Sequence, residues 1–75
     1  YKIGRSSENN IILDDITVSR NHATLSVTKE IIKIVDHHST NGTYINNEIK
    51  SECKLKSGDK IQIGKYLLLF TKVIK

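Results

Sequence analysis

The chain has 75 residues, a formal net charge of +4 and one cysteine. This length allows one small domain with a modest core, and we expect residues 1–75 to be a single domain taken from a longer protein. The lone cysteine excludes an internal disulfide and is typical of a reducing compartment, so we expect an intracellular, cytoplasmic protein. No apolar run approaches the roughly 18 residues of a membrane span. No basic run interleaved with aromatic residues favours nucleic-acid binding.

Short extended segments follow one another along the chain. Alternation of apolar and polar residues is clearest at 23–27 and 61–63. Other short strands or extended pieces are predicted at 1–3, 11–13, 16–18, 31–35, 43–45, 48–50, 54–55 and 66–73. The segment 66–73 begins with residues that are apolar on both faces, so we expect it to be the most buried strand.

Two short connections have the composition of hairpin turns. Asn46-Asn47 fits a two-residue primed turn because asparagine tolerates positive φ, and Gly64-Lys65 fits one with glycine first. No window shows the 3.6-residue apolar period of a helix. The fold class predicted is all-β, an antiparallel β-sandwich of short strands with the binding loops at one end.

Three polar segments interrupt these strands, at Gly4-Arg5-Ser6, Ser19-Arg20-Asn21-His22 and Ser39-Thr40-Asn41-Gly42-Thr43. Alternate loops of a sandwich gather at one end, so all three can share a surface. They carry guanidinium groups, hydroxyls, amides and glycines but no carboxylate. Arginine matches two phosphate oxygens with a planar charged fork, and glycine lets backbone N–H groups approach closely. This combination of residues is suited to phosphate.

The sequence resembles the forkhead-associated (FHA) domains, which bind phosphothreonine in partner proteins. The resemblance covers residues 1 to about 70. It rests on Gly4-Arg5, on Ser19-Arg20-Asn21-His22, on the stretch from Asp36 to Asn46, and on Gly58-Asp59 followed by Ile61 and Ile63-Gly64. Recognition of phosphorylated motifs is an established binding mode of this family.

The resemblance implies a role for each residue of the three loops. The implied phosphate-binding residues are Arg5 by its guanidinium, Ser19 by its hydroxyl, Arg20 by its backbone N–H, and Thr40. Asn41 is expected to hold the main chain of the bound peptide. Surfaces near Thr17 and Gly64-Lys65 are suited to reading the residues that flank the phosphothreonine. The residues expected to shape the loops and the following hairpin are Gly4, His22, Gly42 and Asn46.

Several alternatives stay open at this point. The Arg20 side chain either lies in solvent or reaches a peptide carboxylate. Family members begin one strand earlier, so the chain is either trimmed or lacks an edge strand. An interaction module of the same fold that does not need phosphate is the main rival function.

Catalytic and metal-binding interpretations have less support. Ser19, His22 and Asp36 have the residue types of a nucleophilic triad, but composition is not geometry. Four potential metal ligands lack paired ligand spacing: His22, His37, His38 and Cys53. We therefore expect no enzyme activity, no metal and no cofactor. The expected partner is a protein phosphorylated on threonine by a Ser/Thr kinase, bound by a monomer without nucleic acid or membrane.

Overall fold

A computed structural model describes residues 1–71. Within this range the chain forms short strands and no helix. The strands are β1 (Lys2–Gly4), β2 (Ile11–Ile12), β3 (Ala23–Val27), β4 (Ile32–Asp36), β5 (Thr43–Ile45), β6 (Glu48–Ile49), β7 (Glu52–Lys54), β8 (Lys60–Ile63) and β9 (Tyr66–Leu69). None of the described segments is a helix long and apolar enough to cross a membrane.

The strands form two sheets that confirm the predicted all-β sandwich. The first sheet has the order β2-β1-β3-β4-β7, and the second has the order β6-β5-β8-β9. All neighbouring pairs are antiparallel except β1 and β2, which run parallel. This exception arises because the loop between them, residues 5–10, folds back beside β1 before the chain re-enters the sheet. The Asn9 side chain holds that loop by donating to the carbonyls of Ser6 and Arg20.

The core lies between the two sheets and is filled mainly by β-branched side chains. Strand β8 shows how the sequence builds it, because Ile61 and Ile63 point inward while Lys60 and Gln62 are exposed. The described buried apolar residues are Ile3, Leu13, Val18, Ala23, Ile34, Ile45, Ile61 and Ile63. A core this small gives a domain of limited stability, so individual buried groups carry a large share of it.

Both predicted primed turns are present. Asn46 and Asn47 have φ values of 50° and 72°, as a type I′ turn requires. Gly64 has φ 58° and begins the turn that joins β8 to β9. These turns fix the pairing of Ile45 with Glu48 and of Ile63 with Tyr66.

Two of the extended pieces expected from the sequence were placed wrongly. Residues 16–18 form a turn in which Val18 N–H donates to Asp15 O, and Ile16 is 89% exposed. The Asp15 side chain accepts the N–H of Thr17, which stabilises the turn over an extended segment. The strand expected at 54–55 is β7, Glu52–Lys54, because Cys53 pairs with Ile34 in the first sheet.

The last strand also differs from the prediction. Strand β9 ends at Leu69, and the Lys72 and Val73 part of the predicted strand lies outside the described residues. The expectation that it is the most buried strand is wrong, because Leu67 and Leu69 are 68% and 63% exposed. They pair with Gln62 and Lys60, whose side chains are on the outer face of the second sheet.

Candidate functional site

Arg5 lies where β1 ends, beneath the loop that contains Ser19 and Arg20. Its backbone N–H donates to Ser19 O at 3.0 Å, and its Nε donates to Val18 O at 3.1 Å. Within residues 1–71, its terminal guanidinium nitrogens have no hydrogen bond or ion pair. The Nε bond therefore aims the guanidinium while leaving two nitrogens able to bind an anion.

Gly4 permits this close packing of β1 against the loop. A Cβ at position 4 would lie 2.1 Å from Arg20 O and 2.7 Å from the Asn9 side-chain nitrogen. Any larger residue would push the loop away from β1. The close approach of Arg20 O to Gly4 explains why Gly4 is expected to shape the loop. Asn9, which was not predicted from the sequence, holds the same loop by donating to Arg20 O.

Ser19, Arg20 and Thr40 meet at the rim beside Arg5. Thr40 N–H donates to Ser19 Oγ at 3.0 Å, so the hydroxyl accepts one bond and its own proton stays available. No hydrogen bond from the Arg20 N–H is found in the described part of the chain. The side chains of Arg20 and Thr40 are exposed. These three residues and Arg5, here termed the Arg5 cluster, converge although 35 positions separate the first from the last.

His22 connects the two loops from below and is fully buried. Its Nδ1 accepts from Ser19 N–H at 3.1 Å, and its Nε2 lies 2.9 Å from Gly42 O. A backbone N–H can only donate and a carbonyl can only accept, so the ring is neutral and carries its proton on Nε2. Neither ring nitrogen is bonded to Ser19 Oγ, and the arrangement of a nucleophilic triad is absent from these residues.

Asp36 organises the start of the loop at 37–42. Its carboxylate accepts the Ser39 N–H at 3.1 Å, the Ser39 hydroxyl, and the Thr43 hydroxyl at 2.8 Å. Burial alone would raise the pKa of Asp36, but the bonds from Ser39 and Thr43 outweigh burial and lower it. Ser39 and Thr43 therefore have structural partners beneath the loop, and Asp36 holds the segment that presents Thr40.

Gly42 and Asn46 lie at opposite ends of β5. Gly42 has φ 82°, and a Cβ there would lie 2.6 Å from the Ile49 Cδ1 atom. Asn46 donates to Asp59 at 2.9 Å and accepts the Lys60 N–H at 3.0 Å. The structure thus brings Gly42 to the Arg5 cluster but places Asn46 at the far end of the sandwich, where it braces the β5–β6 turn.

A second group of predicted residues forms a shallow groove beside the Arg5 cluster. Asn41 Nδ2 donates to Thr17 O at 2.9 Å, and Lys65 N–H donates to Thr17 Oγ1 at 3.0 Å. Gly64 and Tyr44 complete the lining of the groove. Tyr44 was missed by sequence reasoning, although its position between two buried strand residues marks it as outward-facing.

Asp15 anchors this groove from its outer side and was also missed. Its carboxylate accepts from the N–H and the hydroxyl of Thr17 and pairs with Lys65 Nζ at 3.1 Å. The Thr17 bonds, helped by Lys65, lower the pKa of Asp15 to about 2. We term Asp15, Thr17, Asn41 and Lys65 the Thr17 cluster.

The described residues show no group of three or more His, Cys, Asp or Glu side chains arranged to hold a metal ion. The polar groups of the Arg5 cluster that have no partner among the described residues are donors: the terminal guanidinium nitrogens of Arg5, the Ser19 hydroxyl and the Arg20 N–H. Such donors are suited to binding an anion.

Comparison with known proteins identifies the family of the chain. The FHA domain profile matches residues 1–64. A solved structure from a study of phosphothreonine-dependent FHA domain interactions has a TM-score of 0.95 and 31% identity, covering 99% of this chain and 77% of that chain. Mycobacterium tuberculosis EmbR in complex with a low-affinity phosphopeptide has a TM-score of 0.89 and 38% identity, covering 93% and 19% of the two chains.

The chain belongs to the FHA domain family. Among curated relatives, an oxoglutarate dehydrogenase inhibitor of Corynebacterium efficiens is 48% identical over 67 residues, covering 89% of this chain and 47% of that protein. The glycogen accumulation regulator GarA of Mycobacterium tuberculosis is 45% identical over 67 residues, covering 89% and 41%. The chain thus spans less than half the length of these two relatives.

Proposed function

We propose that this domain binds phosphothreonine in a partner protein and performs no catalysis. The observation that carries the proposal is the group of unengaged donors in the Arg5 cluster. The terminal guanidinium nitrogens of Arg5, the Ser19 hydroxyl proton and the Arg20 N–H lie at one rim without partners among the described residues. A phosphate dianion can accept bonds from all of them.

The peptide would lie across the loop end, with its phosphate on the Arg5 cluster. Thr40 adds a hydroxyl at the same rim, and Asn41 contacts the peptide main chain through its side-chain oxygen. The groove lined by Thr17, Tyr44 and Gly64 receives residues next to the phosphothreonine. The mark on the partner is written by a Ser/Thr kinase. A short peptide bound at a small open site is expected to have an affinity on the order of micromolar, about −8 kcal/mol.

A phosphate-independent interaction module is the second candidate, favoured by a different observation. The outer face of the second sheet exposes Ile49, Leu67 and Leu69, each more than 60% accessible. Exposed apolar groups on one face are found where proteins associate. Under this alternative a partner contacts the sheet and the Arg5 cluster stays empty.

Calorimetry with three versions of one peptide distinguishes the two functions. The versions carry threonine, phosphoserine or phosphothreonine at the central position. The proposed function predicts micromolar binding of the phosphothreonine peptide and no measurable binding of the unmodified one. The phosphoserine version measures how far the threonine methyl contributes. Equal affinity for phosphorylated and unmodified peptides would exclude phosphate recognition.

Leu67→Lys provides the control for the sheet face. This residue is exposed, so the substitution is expected to leave the fold intact. Phosphopeptide affinity should not change in this variant if the loop end is the binding surface. A loss of binding would indicate that the partner binds to the second sheet instead of the loop end.

A further inference from the structure

Asp15 precedes the turn that carries Thr17, and its side chain is only 18% exposed. One carboxylate oxygen, Oδ2, accepts both the backbone N–H of Thr17 and the Thr17 hydroxyl. The other oxygen, Oδ1, lies 3.1 Å from Lys65 Nζ. The carboxylate therefore fixes the conformation of a residue two positions away and holds a lysine from the β8–β9 turn.

The orientation of the Thr17 hydroxyl has a consequence for its other neighbours. Because its proton points to Asp15, its lone pairs are free to accept the Lys65 N–H at 3.0 Å. The Thr17 carbonyl accepts Asn41 Nδ2 at 2.9 Å. Thr17 thus connects three segments that are distant in sequence: the turn at 15–18, the loop at 37–42 and the turn at 64–65.

Gly64 shows how closely these segments pack. A Cβ at position 64 would lie 2.4 Å from Thr17 Oγ1 and 2.9 Å from Thr17 O. The turn at 64–65 has no space to approach Thr17 further. Movement of Thr17 would displace the turn and release Asn41 together.

We propose that Asp15 is a positioning residue for peptide specificity. By holding Thr17 it fixes the Asn41 side chain and the 64–65 turn, which form the groove for the residues that flank the phosphothreonine. This inference rests on the proposed function and adds to it a division of roles. The Arg5 cluster binds the phosphate without help from Asp15, whereas the flanking residues are read by a groove that depends on it.

Asp15 also sets the charge of the groove. In the native protein its carboxylate neutralises Lys65, whose ammonium group is at the groove edge. Removal of the carboxylate leaves the Lys65 ammonium group without its anionic partner, although the Tyr66 ring centroid still lies 5.7 Å from Nζ. A variant without Asp15 should therefore gain a preference for acidic residues beside the phosphothreonine, an effect that a simple loss of stability would not produce.

The test compares Asp15→Ala with Asp14→Ala, which removes the same charge from the exposed neighbouring position. Each is titrated with capped phosphothreonine and with a phosphothreonine peptide whose flanking residues were selected on the wild-type protein. Asp15→Ala should weaken the selected peptide by about fivefold or more. Its affinity for capped phosphothreonine should stay within about twofold of the wild type.

An oriented phosphopeptide library screened on Asp15→Ala should show the acidic preference, and Asp14→Ala should match the wild type throughout. The proposal is overturned if Asp15→Ala behaves as Asp14→Ala does. It is also overturned if both ligands weaken equally, because Asp15 would then support the whole loop end.

Two further measurements keep the test decisive. Thr17→Ser retains the hydroxyl while Thr17→Val removes it, so only the valine variant should reproduce the weakened binding of the selected peptide. The acidic preference should not appear in Thr17→Val, because Asp15 still pairs with Lys65. This pair of variants replaces Asp15→Ala if that variant does not fold, and equal affinities of the two would then overturn the proposal. NMR of the unliganded protein should show faster exchange of the Asn41 side-chain amide in Asp15→Ala. If the wild type binds neither ligand, the proposed function is wrong. In that case the NMR measurement still tests the positioning role of Asp15, and an unchanged exchange rate of the Asn41 amide in Asp15→Ala would overturn it.

Discussion

The Arg5 cluster and the Thr17 cluster lie side by side at the loop end, but they use their polar atoms in opposite ways. In the Arg5 cluster, the terminal guanidinium nitrogens of Arg5, the Ser19 hydroxyl proton and the Arg20 N–H have no partner within residues 1–71. In the Thr17 cluster, the carboxylate, the hydroxyl, the carbonyl and the amide nitrogen are bonded to one another. Donors without partners can bind a charged ligand, whereas groups that are bonded to one another fix the conformation of the surface.

This difference predicts which contacts are worth most in binding. A phosphate on a preformed set of donors gains charge-assisted hydrogen bonds that no protein group has to give up. A peptide residue that flanks the phosphothreonine binds in the groove mainly through shape complementarity. Each such contact contributes less binding free energy than a charge-assisted hydrogen bond. Affinity should therefore follow the Arg5 cluster and selectivity the Thr17 cluster.

The largest expected loss of binding free energy comes from removing Arg5, and removing Lys65 from the Thr17 cluster is the matched comparison. Arg5→Ala should weaken a phosphothreonine peptide by about 2–4 kcal/mol, because the Nε bond to Val18 O holds the Arg5 guanidinium in place with its terminal nitrogens available to the phosphate. Lys65→Ala should cost much less affinity, since Lys65 is exposed and already paired with Asp15. Calorimetry on the two variants measures both. Similar losses would show that the clusters do not differ in the way described.

His22→Ala should reduce stability and binding together. The fully buried ring satisfies Ser19 N–H and Gly42 O, so its removal leaves a cavity and two unpaired backbone groups. The free energy of unfolding should fall by about 2–4 kcal/mol, measured by urea denaturation. His37→Ala, at an exposed histidine, is the matched control and should change it by less than about 1 kcal/mol. A His22 variant of native stability would contradict the bracing role.

Binding should also depend on pH in a way that separates the clusters. The second pKa of a phosphothreonine is about 6, so affinity should fall by up to about tenfold per pH unit below that value. The carboxylate of Asp15 has a pKa of about 2 and stays ionised over this range. Titrations between pH 8 and 5 should therefore show the phosphate transition and no contribution from Asp15. A flat profile would mean that the site does not distinguish the dianion.

A smaller effect is expected in the acid stability of the domain. The pKa of Asp36 is lowered in the folded state, so the ionised carboxylate stabilises the fold. This stabilisation is present above the pKa of the unfolded state, near 3.8, and is lost as pH falls through the pKa of the folded state. The free energy of unfolding should decline below about pH 4. Asp36→Asn should make that decline shallower, whereas Asp14→Asn, at an exposed position, should not.

The sequence predicted the parts of this molecule that depend on local patterns. Alternation located β3 and β8, and asparagine and glycine located the two primed turns. The run Tyr66 to Phe70 has no alternation, so its exposed face follows only from its register with Gln62 and Lys60. That register is a tertiary property and could not be inferred from the run itself.

The candidate site divides in the same way. The residues of the Arg5 cluster could be named from the sequence because the resemblance to the FHA domains implies a role for each of them, and their roles in binding stay predictions. Asp15 could not be named, because one of its partners, Lys65, is 50 positions away in sequence and becomes a neighbour only after folding. Asn46 was expected to shape the hairpin that follows the loop, and its bonds to Asp59 and Lys60 are at that end of β5, away from the Arg5 cluster.

An NMR titration of the labelled protein with capped phosphothreonine shows at single residues whether phosphate binds to the Arg5 cluster. The Arg20 amide and the Arg5 side-chain signals should shift together as ligand is added. The Lys65 amide should stay unchanged until the ligand carries flanking residues. Shifts at Lys65 with no change at Arg5 or Arg20 would mean that phosphate does not bind to the Arg5 cluster.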